Sequence, residues 1–351
     1  MIARAADESA TKVASPSTLE YTTLPPRAAK ICEKSLFVPL EEVQAKIKKF
    51  SHVQPRPLVK DGDSEVLAGQ TFTHHLVLGP GDGEVVKWHY VEAGPHDAEI
   101  ILFLHGIPDS WFQWHLQMAS LSKHFRCIAP DLKGYGQSEK GPGDYTHEGA
   151  SEQLFAMLQS IGVKQYNIVS HDRGTCQADF LAANHPDAVL RYGRGEQHLY
   201  HYNPALSPQG ELFMNAAYNG ILDNAAQLLV WAHTSICTRP IPDAILERMI
   251  QEFSYPDINK AVPRYFNSSS FRQEWLQRRE RLLSAWKCPV LILQGFDSKT
   301  QPREFYENIT QEHIPNAKSV KVQLIPGGHF WSLESPEETT AALDVFFRSV
   351  V

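Results

Sequence analysis

Ile168-Val169-Ser170-His171-Asp172-Arg173-Gly174-Thr175 is the stretch that decides how this chain reads. The mostly apolar run Tyr166 to Val169 predicts a strand, and the Ala-rich segment after Gly174, through Ala182 and Ala183 to Pro186, predicts a helix. Between them the chain must turn sharply at Asp172. Small residues stand two before it (Ser170) and two after it (Gly174), where a larger side chain would collide with the neighbouring strand or helix. Serine is the residue commonly found at the centre of such a turn. A carboxylate there changes the chemistry, because it attacks carbon to form an ester that water must then cleave. An aspartate at a strand-to-helix turn can also act simply as an N-cap, and two further motifs argue against that plainer reading.

Upstream, His105-Gly106-Ile107-Pro108-Asp109-Ser110-Trp111-Phe112-Gln113-Trp114 follows directly on Ile100 to Leu104, an apolar run typical of a strand buried on both faces. His105 and Gly106 leave a loop that can aim the Ile107 N–H at the turn. With the N–H of Arg173 it would form an oxyanion hole, and Trp111 is a candidate lining residue. Downstream, Gly327-Gly328-His329-Phe330-Trp331 follows the last predicted strand. Among 16 histidines, His329 stands in the chain order nucleophile, acid, histidine, which makes it the candidate general base, with Phe330 a candidate substrate contact. A base histidine needs a carboxylate to fix its tautomer and stabilise its charged form. Two compete. Asp297 follows the strand ending at Gln294-Gly295, but stands two residues after Gly295 where three is usual. Glu196 stands 24 residues after Asp172, at the end of the sixth core strand. Asp297 is favoured and Glu196 stays open.

The rest of the chain supplies a frame for these motifs. Residues 1–60 read as an N-terminal arm, with an amphipathic helix at Leu40 to Phe50. Thr71 to Leu78 and Glu84 to Glu92 flank the hairpin signal Gly79-Pro80-Gly81-Asp82-Gly83. Strands and helices then alternate, which predicts a mainly parallel sheet with helices on both faces. A strand from Val189 to about His198 is expected, yet it carries Arg191, Gly193, Arg194, Gly195 and Glu196. It is either a site-lining strand or a departure from strand. Residues 199–272 are aromatic-rich and mostly helical, without strand alternation, and read as a helical cap inserted between core segments 61–198 and 273–351. Helices are expected over Gln273 to Trp286, Glu304 to Glu312 and Pro336 to Val350.

Composition excludes several classes. A hydrophobic share of 42% and a charged share of 21% are those of a soluble globular protein. A net charge of −7 leaves no basic footprint for nucleic acid. Five scattered cysteines without a C-x-x-C pair predict reduced thiols and a cytoplasmic setting. Met1 to Ser15 has no apolar h-region, so no secretory signal is expected, and no apolar run is long enough for a membrane span. No Cys/His spacing predicts a metal and no glycine-rich loop a nucleotide cofactor. A homodimer stays open.

Together these motifs resemble the α/β-hydrolase superfamily, and within it the epoxide hydrolases. The likeness runs from about His89 to the C-terminus. It is densest in the His105 to Trp114 motif, in Asp131-Leu132-Lys133-Gly134-Tyr135-Gly136-Gln137-Ser138, around Asp172, and in Gly328-His329-Phe330. It departs at Ser170, usually Gly, and at Arg173, commonly Trp. The resemblance implies an α/β-hydrolase fold with a mainly parallel eight-stranded sheet flanked by helices and an inserted helical cap. It further implies that Asp172 opens an epoxide to a glycol monoester, and that His329, held by its carboxylate, activates water to release a diol. Cap tyrosines would protonate the leaving alkoxide: Tyr265, in Pro263-Arg264-Tyr265-Phe266-Asn267, is the stronger candidate and Tyr218 the weaker. Aromatic cap residues Tyr200, Tyr202, Phe213, Trp231 and Phe271 suggest a largely apolar substrate, a small molecule rather than a macromolecule.

Rival readings remain. Haloalkane dehalogenases hold halide with an Asn and a Trp, where this chain has Ile107 and Arg173. Haloacetate dehalogenases carry His-Asp-Arg-Gly with a second arginine, where this chain has Cys176. In some dehalogenases the triad acid occupies the position of Glu196. A non-hydrolytic cyclase, isomerase or ligand receptor on the same fold is the third alternative, hinted at by the polar run Gln197-His198-Leu199-Tyr200-His201-Tyr202.

Overall fold

The computed structural model describes residues 40–80, 85–197, 199, 225–268 and 277–349. The tip of the predicted hairpin, most of the aromatic run after Glu196, and Tyr200, Tyr202, Phe213, Tyr218 and Phe271 lie outside them.

A helix α1 (Leu40–Phe50) is followed by β1 (Ser64–Leu67), β2 (Gln70–Pro80), β3 (Val85–Ala93), β4 (Ile100–Leu104), α2 (His115–Leu121), β5 (Arg126–Pro130), α3 (His147–Ser160), β6 (Tyr166–His171), α4 (Arg173–Asn184) and β7 (Val189–Gly195). Among the described residues, α5 (Ala225–Ser235), α6 (Asp243–Phe253), α7 (Ile258–Ser268) and a helical stretch, π-helical over Arg278–Leu282 and α-helical over Leu283–Ala285, come before β8 (Val290–Gly295), β9 (Val320–Ile325) and α8 (Pro336–Phe347). The sheet has nine strands in the order β1-β2-β3-β5-β4-β6-β7-β8-β9. The strand beyond the expected eight is β1, a four-residue edge strand hydrogen-bonded antiparallel to β2. From β5 through β9 neighbours run parallel. The apolar run of β4 and the whole of β6 are buried, as expected of parallel strands covered on both faces. α3 packs on α4, α2 on α8, and α1 of the predicted arm on α5.

One expectation changes and one open question closes. Glu304 to Glu312 is not a helix but two short 3-10 turns, Arg303–Phe305 and Gln311–His313. Thr310 and His313 close a capping box that starts the second turn afresh, and Phe305, Tyr306 and Ile309 are drawn into the core. The polar segment around Arg191 does form the strand β7, and its charges have partners. Arg191 bonds Glu99 at 3.0 Å, Asn167 at 3.2 Å and the Ser349 carbonyl at 2.7 Å. Arg194 grips Asp179 through Nε and Nη2, both at 3.1 Å. Asp179 also accepts from Arg278 Nε at 2.5 Å and the Tyr192 hydroxyl at 2.8 Å, while its backbone carbonyl takes the Trp286 indole N–H. Gly195 is required because a Cβ there would stand 2.6 Å from both the Leu293 carbonyl and the Trp331 ring.

The Asp179 cluster ties α4 to β7 and to the segment before β8. Its side chains are almost wholly buried. Removing the carboxylate leaves two buried guanidinium groups without it, so Asp179→Ala should cost about 3–5 kcal/mol of stability, read from the shift in the urea-unfolding midpoint.

Candidate active site

β4, β6, β7, β8 and β9 all end at the same edge of the sheet, and the loops leaving them carry the chemistry-bearing residues. This is the crevice at the carboxyl ends of parallel strands where ligands of open α/β sheets bind. Asp172, at the end of β6, has φ 48° and ψ −121°, a conformation that an L-residue adopts only under constraint. The turn is as tight as its small flanking residues predict. A Cβ on Gly174 would lie 2.4 Å from the His105 carbonyl, and one on Gly106 would lie 2.6 Å from the Asp172 Cβ. The close approach brings the Ile107 N–H onto Asp172 Oδ1 at 3.0 Å.

His329, after β9, turns Nε2 toward Asp172 Oδ2 at 3.8 Å, and its Nδ1 donates to Glu196 Oε2 at 2.9 Å. Thr300 Oγ1 lies 2.8 Å from the same Nδ1. The carboxylate beside the histidine is therefore that of Glu196, not the favoured Asp297. Asp297 is exposed, and its backbone N–H is bonded to the Gly327 carbonyl. One residue too early in the turn after β8, it faces solvent, while the next positions face inward. Residues on both sides of Asp297 serve Glu196: Ser298 Oγ donates to it at 2.9 Å, Gly295 N–H at 3.1 Å and Gln294 Nε2 at 2.7 Å. Burial raises the Glu196 carboxyl above its ordinary pKa, and these donors together with His329 offset part of that rise. Burial opposes the charged form of His329, but Glu196, and then Asp172, outweigh it and raise its pKa.

The other histidines nearby behave differently. His105 donates from Nδ1 to the Gly106 carbonyl and accepts the Leu132 N–H at Nε2, a neutral ring that braces the loop. Burial lowers its pKa. His171 donates from Nε2 to the His329 carbonyl at 2.7 Å, and burial holds its pKa well below the usual value. Trp111 is buried with its backbone N–H on Asp131 Oδ1, and the ring of Phe330 stands 4.7 Å from the His329 ring and 4.1 Å from that of His233. Arg173 lies over the rings of Tyr265 and Phe266 at 5.6 and 5.0 Å. Tyr265, on α7, is buried. Its hydroxyl is 2.5 Å from His147 Nε2 and 3.4 Å from the Arg173 carbonyl. Tyr218 lies outside the described residues.

Several neighbours escaped the sequence reading. His233, on α5, is pushed down to about 3 by burial and then by His329. Asp109 is buried, and burial, with Asp172 adding to it, lifts its carboxyl well above the usual range. Position alone could have flagged Asp109, which lies in the quoted His105 motif. Nothing in the local sequence marks His233 or Thr300.

Comparison with known proteins agrees with this fold. The family model described as the alpha/beta hydrolase fold matches residues 99–192. A haloalkane dehalogenase of Psychrobacter cryohalolentis is 24% identical over 78% of this chain and 92% of its own length. Epoxide hydrolase 1 of Siraitia grosvenorii is 35% identical over 35% of this chain and 39% of its own length. The chain thus spans well under half of that relative. Among solved structures, Cfl2 from Burkholderia cenocepacia superposes with a TM-score of 0.66 at 23% identity, over 84% of this chain and 99% of that one. With its mainly parallel sheet, its strained turn at Asp172 and its likeness to these proteins, the chain has the α/β-hydrolase fold.

Proposed function

We propose that the chain hydrolyses epoxides to vicinal diols through an ester on Asp172, with the helices between β7 and β8 serving as its cap. The observation that carries the reading is the line Asp172, His329, Glu196, with the Ile107 N–H on Asp172 Oδ1 at 3.0 Å. Oδ2 attacks an epoxide carbon, the C–O bond breaks, and a cap tyrosine protonates the alkoxide. Tyr265 is the described candidate for that acid. His329 Nε2, at 3.8 Å too far from Oδ2 for a hydrogen bond, then takes a proton from water. The resulting hydroxide attacks the ester carbonyl, whose oxyanion is held by the Ile107 and Arg173 N–H groups. The diol leaves with the former carboxylate oxygen, and the proton on His329 returns to the tyrosinate. Glu196 fixes the His329 tautomer and stabilises the imidazolium. The named epoxide hydrolases among the relatives support this substrate class.

A second reading keeps the ester and changes the leaving group. Glu196 occupies the acid position that the resemblance associates with some dehalogenases, and one relative covered over most of its length is named a haloalkane dehalogenase. Ile107 and Arg173, in place of the halide-holding Asn and Trp, favour the epoxide.

Three outcomes follow. His329 must be neutral to act as base, so turnover should fall as pH drops through a pKa above the ordinary 6.5. Glu196→Gln should lower that pKa, because burial then acts unopposed at Nδ1, whereas Asp297→Asn should leave it in place. The His329 ring resonances, titrated by NMR, check both. His329→Gln should cut turnover by about 10²–10⁴-fold while an ester equal in mass to the whole epoxide accumulates, seen by intact-protein mass spectrometry and absent in Asp172→Asn. An adduct formed from a haloacid with loss of halide, and none from epoxides, would favour the second reading.

A further inference from the structure

Five residues after the proposed base, Glu334 is 7% exposed and accepts more hydrogen bonds than a neutral side chain could. Its Oε1 takes the Phe330 N–H at 3.0 Å. Its Oε2 takes the N–H groups of Gly328 at 2.9 Å, Thr238 at 2.7 Å and Arg239 at 2.9 Å, and the Thr238 hydroxyl at 3.1 Å. Gly328 and Phe330 flank His329 on either side. Thr238 and Arg239 stand three and four residues past the end of α5, in the proposed cap. A single carboxylate therefore holds both shoulders of the histidine and the start of the chain between α5 and α6.

The glycine before His329 belongs to the same device. A Cβ on Gly328 would lie 3.1 Å from Glu334 Oε1, 3.2 Å from the Ile236 carbonyl and 3.2 Å from Thr238 Cγ2. Glycine there leaves the space that the carboxylate and the 236–238 segment occupy. Glu334 ends a short helix, Trp331–Glu334, whose N-cap is Phe330, and its other donors lie on Gly328, Thr238 and Arg239.

We propose that Glu334 is a positioning residue that sets the placement of His329 relative to Asp172 by clamping the base loop to the cap. The inference rests on the reading of His329 as the base of ester hydrolysis. Charge is what suits Glu334 to this task. Glutamine would keep the shape, but its NH2 would have to face an N–H on one side or the other, since both oxygens are accepting. The loop would then relax, and a displacement on the order of 1 Å at a base can cost about 10²-fold in rate. Ester formation does not use His329, and Tyr265 is tied to the core through His147 rather than through Glu334. The loss should therefore fall on the second step.

The test is rapid-quench intact-protein mass spectrometry with styrene oxide on the full chain, comparing wild type, Glu334→Gln, Thr238→Val and His329→Gln. In Glu334→Gln the Asp172 ester should form at the wild-type rate and be hydrolysed about 10- to 100-fold more slowly, so that it accumulates. Thr238→Val, which removes one donor and keeps the branched shape, should slow hydrolysis in the same sense by less. Equal slowing of both steps in Glu334→Gln, or unchanged hydrolysis, overturns the proposal. If Glu334→Gln does not fold, unchanged ester hydrolysis in Thr238→Val overturns it. An ester that accumulates in His329→Gln but not in Glu334→Gln overturns this inference alone. No ester in any of the four proteins overturns the underlying reading and this inference with it.

Discussion

Asp172 is held at φ 48° and ψ −121°, and much of the structure exists to keep it there. A non-glycine residue in that region costs on the order of 1–3 kcal/mol, sustained only where the surroundings over-determine it. Here the Asp172 N–H is bonded to the Gly195 carbonyl at 3.1 Å, its carbonyl takes the Thr175 N–H at 3.0 Å, and Oδ1 takes the Ile107 N–H. Each partner comes from a different element: the end of β7, the first turn of α4, and the loop after β4. The strain is thus shared by the parallel strands, and the same contacts that fix the backbone aim the carboxylate at the crevice.

Electrostatics around that carboxylate separate four buried histidines. His105, His171 and His233 all have lowered pKa values, because burial dominates. His329 is raised, and the difference lies in its two neighbours: Glu196 at Nδ1 and Asp172 beyond Nε2. The neutral rings serve as braces, His105 for the loop after β4 and His171 for the backbone of His329 itself. One fold position per ring decides which histidine can carry a proton through a reaction.

Much of this was legible in the sequence. The turn at Asp172, the His105 loop and the Gly327-Gly328-His329 loop are local patterns, and local patterns survive folding. The partner of His329 was not legible, because it depends on which of two loops buries its carboxylate. The short spacing between Gly295 and Asp297 was the warning, and it meant that the inward-facing position after β8 belongs to Ser298. The glycine- and arginine-rich β7 looked unlike a core strand for a related reason. Its charges are matched by Asp179, Glu99 and Asn167, residues far away in sequence. Only the three-dimensional pairing reveals that they are satisfied. The helix expected over 304–312 failed for a local reason, the capping box at Thr310.

The central claim is that an Asp172 carboxylate oxygen, rather than water, first bonds to substrate carbon. A single turnover in H2 18O, with enzyme in excess over an epoxide, tests it directly. The account predicts a first-turnover diol without label, with 18O appearing in the side chain of Asp172. A diol labelled in its first turnover, with Asp172 unlabelled, would mean direct attack by water and would contradict the account.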